Sequence, residues 1–267
     1  MLKVMRSQLY QLVLDKVIFL VLLIWLLFGA YNIYTLLTEI ELSGETISGG
    51  EVLGEWFQSG FLFVLVITVF IMTKDLFDKT LYYELLSGKS RAQVFMGRFF
   101  VSLAVSEVCA LLALWVFPAI YTLFNGWGEN LSFSGVLFRT LLEMLFVFRV
   151  CAEAALFSML FKRKGLAYLM IPIVLIIPDM ICSEFLYSAG QVKTLKPYLP
   201  WLSVFMTQFD ATLCEFVKVK LQNDSGENIT YLVAVPDHVG VMVFCSLGLG
   251  LIMLAAAYRI FARKDME

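Results

Sequence analysis

The stretch ELLSGKSRAQVFMGRFF, residues 84–100, contains Gly88, Lys89 and Ser90 in succession, the residue types that close a phosphate-binding P-loop. Such a loop reads G-x-x-x-x-G-K-[ST], and its first glycine makes the tight turn that lets backbone amides wrap the phosphates. Here position 83 is Tyr, and Phe77, Leu81 and Leu85 recur four residues apart, as on one helical face, where a P-loop needs a buried strand. Nucleotide binding at the triplet is excluded on both grounds. The same residues fit a helix stop followed by a helix start. Gly88 suits the left-handed C′ position of one helix, and Ser90 with Gln93 forms the capping box of the next.

A second group of chemically capable residues is Arg139, Glu143, Arg149 and Glu153, all inside one apolar run. At ~100° per residue, with Arg139 at 0°, Glu143 falls at about 40°, Arg149 at about 280° and Glu153 at about 320°. The four occupy one arc, and Arg139 with Glu143, like Arg149 with Glu153, is spaced i,i+4 for pairing along a helix. Two readings stay open: self-neutralised pairs that hold this helix to its neighbours, or a hydrated substrate or gating surface.

Other reactive residue types give little. His238 is the only histidine, and it sits where a span begins. Cysteines 109, 151, 182, 214 and 245 show no spacing typical of zinc sites or disulfide frameworks and are read as packing residues. Asn130, Asn223 and Asn228 begin N-x-Ser/Thr sequons, which matter only in a secretory-pathway protein. No metal site and no catalytic residue is expected.

The elements that must position these residues are set by composition. With 60% hydrophobic and 16% charged residues, the chain reads as a membrane protein. Spans are expected at about 17–37, 56–73, 99–124, 137–161, 165–183 and 239–258, each near the ~20 residues that cross hydrocarbon as a helix. The third carries Glu107 and the fifth carries Pro172, Pro178 and Asp179. Lys and Arg gather in alternate flanks: Lys3, Arg6 and Lys16; Lys74, Lys79, Lys89, Arg91 and Arg98; Lys162, Arg163 and Lys164; Arg259, Arg263 and Lys264. By the positive-inside rule those flanks, and both termini, face the cytoplasm.

Residues 1–16 place Leu2, Met5, Leu9, Leu12 and Val13 at helical spacing, with Lys3, Arg6, Gln8 and Gln11 between them. This is the pattern of a helix lying in the interface; a cytoplasmic extension of the first span is the other reading. The uncharged run 17–37 is longer than a secretory signal core and no small-residue cleavage site follows, so it reads as an anchor. The rest, 17–267, is expected as one six-helix transmembrane domain.

Between the second and third spans, roughly residues 75–87 are expected as a short amphipathic cytoplasmic helix. Its polar residues Asp75, Asp78, Lys79 and Glu84, with Lys89 and Arg91 after it, form either a solvated face or, with Leu81, Tyr82, Leu85 and Leu86, a docking surface. The stretch FDKTLYYELLSGKSRAQVFMGRFF resembles the region after the second span of ATP-binding-cassette exporter permeases of the ABC-2 type. That family's pattern of an acidic residue, T-L, E-L-L, a short turn, S-R and a terminal basic residue falls on Asp78, Thr80, Leu81, Glu84, Leu85, Leu86, Ser90, Arg91 and Arg98.

The resemblance implies an all-α membrane protein. Its parts would be six transmembrane helices, an N-terminal amphipathic elbow helix, a cytoplasmic coupling helix between helices 2 and 3, and re-entrant outer helices between helices 5 and 6. It makes Asp78, Thr80, Leu81, Glu84, Leu85, Leu86, Gly88, Ser90 and Arg91 the ATPase-coupling residues. ATP and Mg would be bound by a separate ABC ATPase subunit, since this chain has no Walker A. The letters LSGET at 42–46 partly match a cassette signature but fall on the outer side.

The outer segment 184–238 is too apolar in its first half for a solvated loop. WLSVFMTQF is too short to span and is expected to re-enter partially. Its second half has turn signals at 223–226 that fit a small hairpin. The resemblance implies the membrane subunit of an exporter of a peptide, drug or lipid-like substrate, without an ATPase site of its own. Its partners would be the ATPase, a second permease half (the same chain or a homologue) and membrane lipids, with no nucleic acid, in the bacterial cytoplasmic membrane. An ion-coupled secondary transporter using Glu107, Glu143, Arg149 and Glu153 is the alternative, though such folds carry internal repeats and none is evident.

Overall fold

The computed structural model describes residues 2–43, 49–77, 80–128, 133–161, 163, 165–168, 170–171, 173, 216–222, 228–234 and 239–263. In chain order its elements are α1 (Leu2–Val13), α2 (Lys16–Ser43), α3 (Gly49–Leu76), α4 (Thr80–Leu86), α5 (Arg91–Asn125), α6 (Phe133–Leu160), β1 (Phe216–Gln222), β2 (Asn228–Ala234) and α7 (Val239–Arg263). Residues 165–168, 170–171 and 173 are also helical. The strands pair antiparallel, with Phe216 opposite Ala234 and Gln222 opposite Asn228. These paired strands, which flank residues 223–227, depart from a wholly helical chain. The stretch 201–209 expected to re-enter, Asp179 and His238 lie outside the described residues.

Two of the described helices are long and apolar enough to cross a membrane, Arg91–Asn125 and Ser246–Arg263 within α7. A third counts if α1 and α2, which meet at a 48° bend, are taken as one broken span. These helices mark a membrane protein. The bend has a local cause, since the Asp15 carboxylate accepts the backbone N–H of Val17 at 3.0 Å. That is an N-cap bond, so α2 begins afresh at Lys16 instead of continuing α1.

The bundle is built around α3, which packs along α5 and also touches α6, while α6 packs along α7. Leu65, Val69 and Met72 of α3, Phe95 and Phe99 of α5, Val147, Val150 and Ala154 of α6, and Leu254, Ala257 and Phe261 of α7 form its interior. Ala152, Ala154 and Ala155 are fully buried, and such small side chains let helices approach closely where no hydrophobic force acts between them in lipid. Gly250 takes this further: a Cβ built there would meet the Phe148 ring at 2.5 Å. The outward side of α2 presents Phe19, Leu23, Ile24 and Leu27, as suits a surface facing apolar surroundings.

The short helix is shorter than residues 75–87. Asp75 and Leu76 complete α3, and Phe77 is a turn. The turn after α4 follows the local signals closely. Gly88 has φ +83°, and its N–H donates to the Leu85 carbonyl at 3.0 Å. The Ser87 hydroxyl donates to the Glu84 carbonyl at 2.6 Å, which satisfies another of the orphan carbonyls at the helix end. Ser90 then caps α5 in a reciprocal capping box with Gln93.

Candidate functional site

Three helix ends and one helix face meet where α3 stops and α5 starts. Their centre is Arg98, on the second turn of α5 and 0% exposed, flanked by the buried rings of Phe95 and Phe99. A buried guanidinium costs several kcal/mol in lost hydration unless its protons are taken up. Arg98 Nε donates to Glu84 Oε2 at 2.9 Å. Its Nη1 donates to the Asp75 backbone carbonyl at 2.7 Å and reaches Asp75 Oδ1 at 3.4 Å. The carbonyl of Asp75 belongs to the last turn of α3, where no intrahelical donor is available and the helix dipole leaves negative charge. Arg98 therefore acts at once as C-cap of α3, ion-pair partner of Asp75 and ion-pair partner of Glu84 on α4.

Asp75 collects the remaining ties. Its Oδ2 accepts the Ser102 hydroxyl at 3.1 Å, one turn further along α5. Its Oδ1 also accepts the side-chain amide of Gln8, which is 1% exposed on α1. Gln8 stands between buried Val4 and Leu12 on the face of α1 turned to the bundle. The neighbouring residues of α3 add two more links. Lys74 pairs with Asp15, the cap of α2, and Thr73 accepts the Ser158 hydroxyl of α6 at 3.2 Å.

A parallel clamp lies at the start of α5, where the exposed Arg91 donates from Nη1 to the carbonyl of Ala262, in the last turn of α7. Two arginines on the first two turns of α5 thus cap the C-termini of two other helices.

The coupling residues expected from the sequence divide accordingly. Glu84 is buried and bonded to the Arg98 guanidinium, so its side chain faces the bundle and not the outer surface of α4. Leu85 is half-buried against the core, whereas Leu86 is 82% exposed. Tyr83 is 71% exposed and one turn from Leu86. Gly88, Ser90 and Arg91 are at the exposed turn beyond α4. Thr80 and Leu81 start α4, Asp78 lies outside the described residues, and nothing in the structure describes the side chains of Thr80 and Leu81.

Of the intramembrane charges, the structure brings Arg149 and Glu153 together. Arg149 Nε donates to Glu153 Oε1 at 3.0 Å, with both side chains buried. Arg139 and Glu143 are helical residues of α6 whose side chains fall outside the described set. Cys109 and Cys151 are buried free thiols.

The residues that spacing missed are Gln8, Asp75, Arg98 and Ser102 as one cluster. Each left a faint mark: a polar residue in the Val4-Gln8-Leu12 stripe, and a charge between aromatic residues at Phe95-Arg98-Phe99. The cluster's carboxylates and the Ser102 hydroxyl are engaged with one another and with Arg98. The cluster is a joint, in which a displacement of α4 must move Arg98 and with it α3, α5 and α1. No protein-family model matches the chain, and no curated protein matches it.

Proposed function

We propose that this chain is the membrane subunit of an ATP-driven exporter resembling the ABC-2 permeases. It would cross the membrane six times with both termini in the cytoplasm, α1 as its elbow helix and α4 as its coupling helix. The observation that carries the proposal is α4 itself: Tyr83 and Leu86 are turned out while Glu84 is locked inward on Arg98. An apolar surface on a charge-anchored helix suits a part that receives force from another protein. The turn at Gly88 exposes the helix end further, since a Cβ there would meet nothing within 4 Å.

The topology has support of its own. The ends of α3, α5 and α7 that Lys and Arg assign to the cytoplasm lie together, joined by Arg98 at Asp75 and by Arg91 at Ala262. In this reading a separate ABC ATPase binds ATP and Mg and seats α4. Its closure would move α4, and the Arg98 joint would pass the motion into the bundle. A second permease half, the same chain or a homologue, completes the path for a peptide, drug or lipid-like substrate.

The test has two parts. Ser87→Cys and Ser48→Cys, each in a cysteine-free chain, should label from opposite sides with an impermeant thiol reagent. The full chain co-expressed with a candidate ABC ATPase should co-purify with it, and Leu86→Glu should abolish that association. Saturable ATP binding by the isolated chain, or identical labelling at both cysteines, would overturn the proposal.

One observation favours a second reading, the ion-coupled transporter. Glu107 is half-buried in α5, and among the described residues it has neither a hydrogen bond nor an ion pair. Intramembrane carboxylates of that kind mark ion or proton paths. Transport that persists without ATP and fails with Glu107→Gln would favour this reading over the first.

A further inference from the structure

The inward face of α1 is committed to the bundle through Val4, Gln8 and Leu12, but its other side carries a recess of about 420 Å³ lined by Arg6, Ser7, Tyr10 and Gln11. The four are two i,i+4 pairs, Arg6 with Tyr10 and Ser7 with Gln11, so they stand side by side on one helical surface. All four are exposed, and among the described residues Arg6 has no ion pair. The group therefore offers a guanidinium, two hydroxyls and a carboxamide, a set that contains one fixed positive charge and several hydrogen-bond donors. Leu9 on the same helix, and Leu14 and Val17 just beyond its end, are exposed apolar side chains. Donors around one cation, next to bare apolar surface, match a molecule with an anionic head and a hydrocarbon body.

We propose that this recess binds the phosphate of an anionic membrane lipid, with Arg6 as charge partner, Ser7, Tyr10 and Gln11 as hydrogen-bond donors, and the acyl chains along Leu9, Leu14 and Val17. Arginine suits the task because its planar fork meets phosphate oxygens in pairs. A free phosphate would use the same donors, but it would leave the adjoining apolar surface bare. Occupancy has a consequence inside the molecule. Gln8 leaves the opposite face of the same helix to bond Asp75, so a headgroup that fixes α1 also steadies the Arg98 joint. The inference needs only that α1 lies at a membrane surface, and it stands whether or not the chain is an exporter.

The experiment uses the purified full chain, without any ATPase, in nanodiscs of phosphatidylcholine containing a minor fraction of phosphatidylglycerol, and counts retained lipids by native mass spectrometry. Phosphatidylglycerol should be retained over phosphatidylcholine by about fivefold, the equivalent of ~1 kcal/mol for one basic side chain at an anionic surface. Arg6→Gln should bring the ratio to about one, while Arg6→Lys keeps part of it. Because Arg6 is exposed, both variants should insert and melt like the parent, which a thermal scan verifies. Millimolar inorganic phosphate should leave the lipid in place. Equal retention of the two lipids by the parent chain, an unchanged ratio in Arg6→Gln, or displacement of the lipid by inorganic phosphate would each overturn the proposal.

Discussion

Arg149 finds its carboxylate one turn along its own helix, at Glu153, whereas Arg98 takes one carboxylate from α3 and another from α4, 23 and 14 residues away in sequence. Both cations are buried, so both would be costly alone. The difference lies in what each pair holds. The Arg149–Glu153 bond joins two residues of α6 itself, so that bond would survive if the neighbouring helices moved as bodies. The Arg98 cluster exists only while α1, α3, α4 and α5 are in register, so it reports and enforces their relative positions. One is a neutralised charge and the other is a joint.

The comparison breaks first at Arg98. Arg98→Leu leaves Asp75 and Glu84 facing each other without a cation and uncaps the end of α3, a loss of about 3–5 kcal/mol by the usual cost of stranding a buried partner. Unfolding of the purified chain in detergent, followed by circular dichroism, measures it. Arg98→Lys should recover only a fraction, because an ammonium cannot serve Glu84 and the Asp75 carbonyl with the same fork. A stability within about 0.5 kcal/mol of the parent for Arg98→Leu would mean that the cluster holds nothing together.

The second test separates the two systems. Arg149→Leu strands one carboxylate and should lower stability by about 3 kcal/mol, while Arg149→Leu with Glu153→Leu removes both charges and should lie closer to the parent. The same double replacement at Arg98 and Glu84 should not recover, because Asp75 stays behind with its carbonyl uncapped. If the two losses at 149 and 153 simply add, the pair has no coupling energy and the contrast fails.

The third test probes the packing beside Arg149. Gly250→Ala places a methyl where the Phe148 ring now lies, and that ring also packs edge-on against Phe99 of α5. Overpacking of this kind costs about 1–3 kcal/mol. Gly250→Ala with Phe148→Leu should restore most of it, and a stability equal to the parent for Gly250→Ala alone would show that the ring is free to swing away.

Legibility in the sequence follows the same division. The capping box at Ser90, the left-handed Gly88, the paired strands flanking 223–227 and the spacing of Arg149 with Glu153 are all local patterns, and local patterns are what a sequence displays. The Arg98 cluster is tertiary: Gln8 and Asp75 are 67 residues apart, and no periodicity joins them. By spacing alone Glu84 belongs to an exposed face or docking surface, because a charge in a connecting segment is usually solvated. That rule gives way where a buried cation is present to receive it. The start of α4 differs from the sequence expectation for a related reason: Asp75 looks like the start of an amphipathic helix by composition, yet its carbonyl is the capped end of α3.

The smallest expected effect on stability is at Leu86, and it bears on what the joint is for. With 82% of its surface exposed, Leu86 contributes little burial, so Leu86→Ser should change unfolding by no more than about 0.5 kcal/mol. Its neighbour Glu84, two residues earlier, sits in the Arg98 cluster, and Glu84→Gln should cost more while leaving the outer surface of α4 unchanged. The two substitutions therefore split anchoring from presentation on one helix of seven residues. If α4 is a docking element, Leu86→Ser keeps the fold and loses the ATPase in co-purification, whereas Glu84→Gln weakens the fold and still recruits it. If both variants recruit the ATPase at the parent's level, the exposed face of α4 is not the docking surface. A helix held by a buried arginine would then be only a brace between α3 and α5, and the Arg98 joint would be structural like the Arg149 pair.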